Sequence, residues 1–175
     1  MNSHLRYTDE KDKSYGLTGM AISMVVLDGE EYLNGLTIDA PTGEGIELSQ
    51  EFYFVGNPRL SAKTAWNEML KHFQLASGMV ISNVMCRNYV QHCRKLSKDI
   101  IEELKIFMRD EAQANCSLED DEIDMIFDKT LGYFDRLFSY SHVHDIANEF
   151  AGTIVRQRQM TSQEIVEQLR HLSMI

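Results

Sequence analysis

A chain of 175 residues, 43% hydrophobic and 25% charged with a net charge of −10, can bury one ordinary hydrophobic core and is read as a single domain over residues 1–175. Its longest apolar runs, Met20–Leu27 and Met79–Cys86, fall far short of the roughly 18 residues that cross a bilayer, and residues 1–10 hold no apolar signal core, so neither membrane insertion nor export is expected and the cytoplasm is the expected compartment. Cys86, Cys93 and Cys116 are odd in number and set in helical patterns, which points to reduced thiols rather than a disulfide framework.

The net charge hides a segmentation. Residues 1–58 carry 3 basic and 10 acidic side chains, residues 59–98 carry 7 and 1, and residues 99–175 carry 7 and 16, giving −7, +6 and −9. The basic segment 59–98, with Arg59, Lys63, Lys71, Arg87, Arg94, Lys95 and Lys98, offers either a nucleic-acid surface or cations that face the acidic flanks of the same fold. It lacks arginines interleaved with aromatics, and a net-negative chain repels phosphate at long range, so the internal reading is preferred and nucleic acid is not an expected partner.

Taken in order, residues 1–14 show no apolar periodicity and read as a loosely held arm. Met20, Ile22, Met24 and Val26 alternate with their neighbours, and Asp28-Gly29 then supplies the dipeptide of a tight hairpin turn. A second strand over Tyr32–Ile38 and a third from Ile46 to Phe54 complete a three-stranded antiparallel meander over residues 15–56, with one apolar face that needs a helical cover. After Asn57-Pro58 everything reads as helix, and the fold class is α+β, the meander packed on a bundle of five to six helices over 59–175. Ser61 caps a helix burying Ala65, Trp66, Met69, Leu70 and Phe73, with a break or kink near Ser77-Gly78 within 61–96, because glycine inside a helix costs about 1 kcal/mol relative to alanine. Ser97 caps a helix with Ile100, Ile101, Leu104, Phe107 and Met108 on one face. The strongest pattern runs through Ile123, Ile126, Phe127, Thr130, Leu131, Phe134, Leu137 and Phe138 at i, i+3, i+4, i+7, opened by Ser117 and the acidic run Glu119–Glu122. Ser141 begins another helix with Val143, Ile146, Ala147, Phe150, Ala151, Ile154 and Val155 in a regular stripe, and Thr161-Ser-Gln-Glu164 is a capping box for the last, with Ile165, Val166, Leu169 and Leu172.

Few constellations suggest chemistry. His142, His144 and Asp145, with Glu149 beyond, place two imidazoles and a carboxylate close together, and a metal-dependent hydrolase is the alternative function they suggest. His144-Asp145 resembles the His-Asp pair of HD-type metal-dependent phosphohydrolases, which also need a histidine upstream and an aspartate downstream; no aspartate follows position 145. Within one regular helix, His142 and His144 would point about 200° apart. No glutamate lies three residues before a histidine as di-iron bundles require, no Cys-x-x-Cys pair exists, and the nucleophile-elbow and phosphate-loop motifs are missing. No catalytic, cofactor-binding or metal-ligating residue is therefore assigned. The leading expectation is a non-enzymatic protein-interaction or regulatory module whose sheet edge or helix groove binds a protein partner or a second copy of the chain as a homodimer. A nucleic-acid-associated protein using residues 59–98 is the further alternative.

Overall fold

Asp9 opens the first helix: its side chain accepts the backbone N–H of Asp12 at 2.7 Å, satisfying an amide that has no partner within the helix. The computed structural model describes residues 6–41, 45–53, 62–116 and 118–174, and in it this helix, α1, spans Glu10–Val26. Two expectations are corrected here. Residues 20–26 are helix and not a first strand, and residues 9–14 belong to the fold, with Asp12 and Ser14 buried. Enclosure is the reason: α1 is covered on nearly every side from Gly16 to Val25, so apolar and small residues occupy all its faces and the 3.6-residue period of a half-exposed helix is erased. Asp28 does adopt φ 55°, but as the left-handed residue of a Schellman ending, in which the Gly29 N–H reaches the Met24 carbonyl at 2.7 Å.

Helix α1 lies along α3, Ala62–Cys86. The backbones meet where side chains are smallest: a Cβ on Gly19 would overlap the Ser82 carbonyl oxygen, and the Ser82 hydroxyl donates to the Gly19 carbonyl at 2.5 Å. The expected break at Gly78 is also corrected, because α3 runs through it unbroken. Gly78 is accommodated by its neighbour rather than by a kink, since a Cβ there would stand 2.5 Å from Leu27 Cδ1. Helix α3 then widens into a π-turn over Arg87–Gln91, a geometry that often marks functional sites.

The sheet is three-stranded and antiparallel, as expected, with a different membership. Its centre is β1, Leu33–Thr37, flanked by β2, Ile46–Leu48, and by β3, Gln159–Thr161; Leu36 faces Ile46 on one side and Met160 on the other. Beyond Ser49 the expected third strand is replaced by a helical turn, α2, Gln50–Tyr53, and its last residue, Phe54, lies outside the described residues. Three residues are too few for β3 to show an alternation, so the link before the last helix concealed a strand.

The remaining helices are α4, Lys98–Cys116; α5, Asp120–Leu137; α6, Ser141–Gln157; and α7, Ser162–Leu169. On α5 the stripe Ile123, Phe127, Thr130, Phe134 and Leu137 is buried, and Ile126 and Leu131 are half-buried. The Glu122 carboxylate accepts the Glu119 N–H at 3.1 Å, the acidic start the sequence indicates, whereas Ser117 and Ser61 lie outside the described residues. Thr161 and Glu164 form the expected capping box. Buried apolar side chains from α1, α3, α4, α5, α6, α7 and the sheet form one continuous cluster.

Candidate functional site

An apolar groove of about 430 Å³ lies between α2, α3 and α4. Its α3 wall is the stripe Met69, Phe73, Ala76 and Val80, its α4 wall is Phe107 and Met108, and Phe52 and Tyr53 of α2 close one end. Each segment follows helical periodicity, but no segment described here covers the combined face. Tyr53 is 70% exposed and Trp66, one helical repeat before Phe73, is 42% exposed. Tyr53 therefore presents its ring to water in the wall of an apolar trough, and Trp66 is a second exposed aromatic on the helix that carries its α3 wall.

His72 sits in the wall and is occupied. Its Nδ1 lies 2.8 Å from the Phe52 carbonyl and its Nε2 3.2 Å from the Tyr32 hydroxyl. The carbonyl can only accept, so Nδ1 carries the hydrogen and donates. The ring also stacks on Phe52 at 5.4 Å. These bonds tie α2 and Tyr32 to α3 at the groove wall.

Charge is distributed unequally around α4. Lys105 and Arg109, one turn apart, both turn to Asp124 of α5: Arg109 Nε and Nη2 lie 2.9 and 2.6 Å from the two carboxylate oxygens and Lys105 Nζ lies 3.1 Å away. The Arg109 hydrogen bonds hold the Asp124 carboxyl below its ordinary range, against a smaller opposing effect of desolvation. Glu103, Asp110 and Glu111, at i−4, i+3 and i+4 from Phe107, share its side of the helix. Lys105 and Arg109 thus face α5, and Glu111 lines the groove.

A second polar centre joins α1 to the π-turn. Arg87 Nε and Nη2 donate to the two oxygens of Asp12 at 2.7 and 2.6 Å, both residues being buried, and the Thr8 N–H adds a bond to Asp12 at 2.9 Å. Burial raises the Asp12 carboxyl, but these donors outweigh it and bring it below its ordinary value. Tyr7 covers the guanidinium with its ring centroid at 5.2 Å and accepts from Asn83 at 2.7 Å. These contacts anchor residues 6–9, and the pair borders a small polar cavity of about 120 Å³ with Asn88, His92 and Arg94.

The histidine cluster is not brought together as a metal site. His142 and Asp145 are exposed, while His144 Nε2 lies 2.6 Å from the Phe138 carbonyl and so donates its hydrogen to the end of the preceding helix. Among the described residues no three His, Cys, Asp or Glu side chains converge as ion ligands. Of the basic segment, Arg87 is neutralised by Asp12 on α1 and Lys71 by Glu31 at 2.8 Å; Lys63, Arg94, Lys95 and Lys98 are exposed and Arg59 lies outside the described residues. Cys86 is buried, which pushes its thiol up, and Cys93 is exposed; both are free. Among the described residues no helix is long and apolar enough to cross a membrane. No family model matches the chain, and no curated protein or solved structure matches it either.

Proposed function

We propose that the protein is a non-enzymatic interaction or regulatory module whose α2–α3–α4 groove receives the apolar face of a helix from a protein partner. The observation that carries this reading is the open apolar trough itself, about 430 Å³, lined by the exposed Tyr53, with the exposed Trp66 on the helix that forms its α3 wall. A helix presenting side chains at i, i+3, i+4 and i+7 matches a linear groove of this kind. Large aromatic and methionine side chains supply most of the energy at such surfaces, and Met69 and Met108 can adapt to different partner side chains. The net charge of −10 and the carboxylates on Phe107's side of α4 favour a partner helix whose polar face is basic.

Trp66 is the single tryptophan and reports on the groove directly. A designed amphipathic peptide with leucine at i, i+3, i+4 and i+7 and lysine elsewhere should shift its fluorescence with a Kd of about 10 μM or tighter. The same peptide with glutamate for lysine should bind at least about tenfold more weakly. Met69→Glu should abolish the lysine peptide's binding without unfolding the protein, because Met69 is only half-buried. Absence of binding, or equal binding to the Met69→Glu protein, would remove the groove from the functional account. A second copy of the chain as occupant would appear as a dimer in sedimentation velocity that Met69→Glu dissociates.

A further inference from the structure

A separate cavity of about 370 Å³ lies between the π-turn, the following 92–97 segment, α4 and α5. Its polar lining is Tyr89, Lys95, Asp128 and Asp135, and aliphatic side chains including Leu96, Ile101 and Leu131 form the rest of the wall. The Tyr89 phenol donates to the Asp135 carboxylate. Burial, reinforced by that carboxylate, pushes the phenol well above its ordinary pKa, so it remains a donor and fixes one Asp135 oxygen while leaving the carboxylate's remaining acceptor capacity available. Among the described residues no ion pair joins Lys95 to either aspartate. Opposite charges therefore border the same space without meeting across it.

Gly132 points independently to an occupant. It lies between Asp128 and Asp135 along α5 and lines the cavity, and the two aspartates, seven residues apart, share one face with about 10.5 Å between them along the axis. Glycine inside a helix is less stable than alanine there, and packing does not require it, since a Cβ at Gly132 would meet nothing within 4 Å. What the missing side chain provides is room in front of the two carboxylates. A position that gives up helix stability for open space is the trade expected where a ligand must fit.

The lining's charges narrow the ligand class. An alkylamine would meet the like charge of Lys95, a fatty carboxylate would meet two aspartates, and an uncharged hydrocarbon would leave all the polar groups without partners. A small zwitterion with an aliphatic body meets the acceptor of Asp135, the cation of Lys95 and the apolar wall together. We propose that this cavity binds an aliphatic α-amino acid, with the ammonium at Asp135, the carboxylate at Lys95 and the side chain against Leu96, Ile101 and Leu131, while Asp128 borders the same space two turns away.

Leucine is the probe, with isopentylamine and 4-methylpentanoate as the matched compounds lacking the carboxylate and the ammonium. Titration calorimetry of the full chain should show leucine binding at millimolar affinity or tighter, and each analogue weaker by at least about tenfold. Gly132→Ala should raise the thermal midpoint of the unliganded protein yet weaken leucine by at least about tenfold, a pairing that a purely structural glycine would not produce. Lys95→Met should erase the preference for leucine over isopentylamine while leaving the fold intact, since Lys95 is exposed. The proposal is overturned if leucine gives no heat and no thermal shift at about 10 mM, if isopentylamine binds the native protein as well as leucine does, or if the Gly132→Ala protein binds leucine like the native one.

Discussion

Replacing Arg87 with methionine should be among the most damaging single changes in the chain, although it removes no large apolar group. The Asp12 carboxylate is 1% exposed and takes two of its hydrogen bonds from the Arg87 guanidinium, at 2.7 and 2.6 Å. Without Arg87 it retains the Thr8 N–H at 2.9 Å, and among the described residues no other cation forms an ion pair with it. Stranding a buried charge in this way costs about 3–5 kcal/mol, and the lost contact with Tyr7 adds about 0.5–1 kcal/mol. For a chain of this length each kcal/mol lowers the midpoint by roughly 2–4 °C, so a drop of about 7–24 °C is expected in thermal unfolding followed by circular dichroism. The pH dependence separates this cause from lost packing. In the native protein the Asp12 carboxyl is held below its unfolded value, so its contribution is fully present above the unfolded pKa, near 3.9, and is lost as pH falls through the lower folded value. In Arg87→Met burial is opposed only by the Thr8 bonds, so the carboxyl should rise and protonation should relieve the stranded charge, and the deficit should narrow between about pH 7 and pH 5. A deficit below about 1 kcal/mol, or one that stays constant over that range, would refute the account of this pair.

Three other outcomes follow from the packing and charge described above. Phe134 is fully buried beside Phe138, so Phe134→Ala should cost about 3–5 kcal/mol in urea unfolding; a loss under about 1 kcal/mol would mean that the α5 stripe is not enclosed. Gly19→Ala should destabilise by about 2–3 kcal/mol or prevent folding, because its Cβ would overlap backbone of α3 rather than a movable side chain, and a neutral result would show that α1 and α3 are not in backbone contact. The native protein should not bind mixed-sequence DNA or RNA in fluorescence anisotropy at about 150 mM salt, because Arg87 and Lys71 are neutralised within the fold and too few cations remain for a phosphate track. Micromolar binding that falls steeply with salt would restore residues 59–98 to the functional account.

What the sequence revealed depended on how exposed each element is. Helices α5, α6 and α7 have one wet face, so Ile123, Phe127, Phe134, Val143, Phe150 and Ile165 stand out against polar neighbours and their periods are plain. Helix α1 is enclosed, and the same physics that buries Ile22, Met24 and Val25 removes the contrast that would identify it. Its alternation of apolar types therefore imitates a strand. The groove follows a related logic: Met69, Phe73, Phe107 and Met108 are legible as apolar faces, but periodicity cannot say whether another segment covers a face, and the trough emerges only when α2, α3 and α4 are placed together. Asp12 and Arg87 lie 75 residues apart and carry no local signature. Gly132 is visible off the α5 stripe from periodicity alone, whereas the cavity in front of it requires Tyr89 and Lys95 from another part of the chain.

The central strand has a consequence for the order of events in synthesis. Strand β1 pairs on one edge with nearby β2, but its other edge is completed by Gln159–Thr161, with Gly35 opposite Thr161. A nascent chain therefore carries Leu33–Thr37 with an open hydrogen-bonding edge while nearly all of the helical region is being translated, and closing that edge spans most of the sequence. An unpaired strand edge is a template for another chain's strand. Ribosome-bound chains halted before residue 159 should be far more prone to associate than chains halted after the sheet can close, and the final short strand acts as the release from that vulnerable interval.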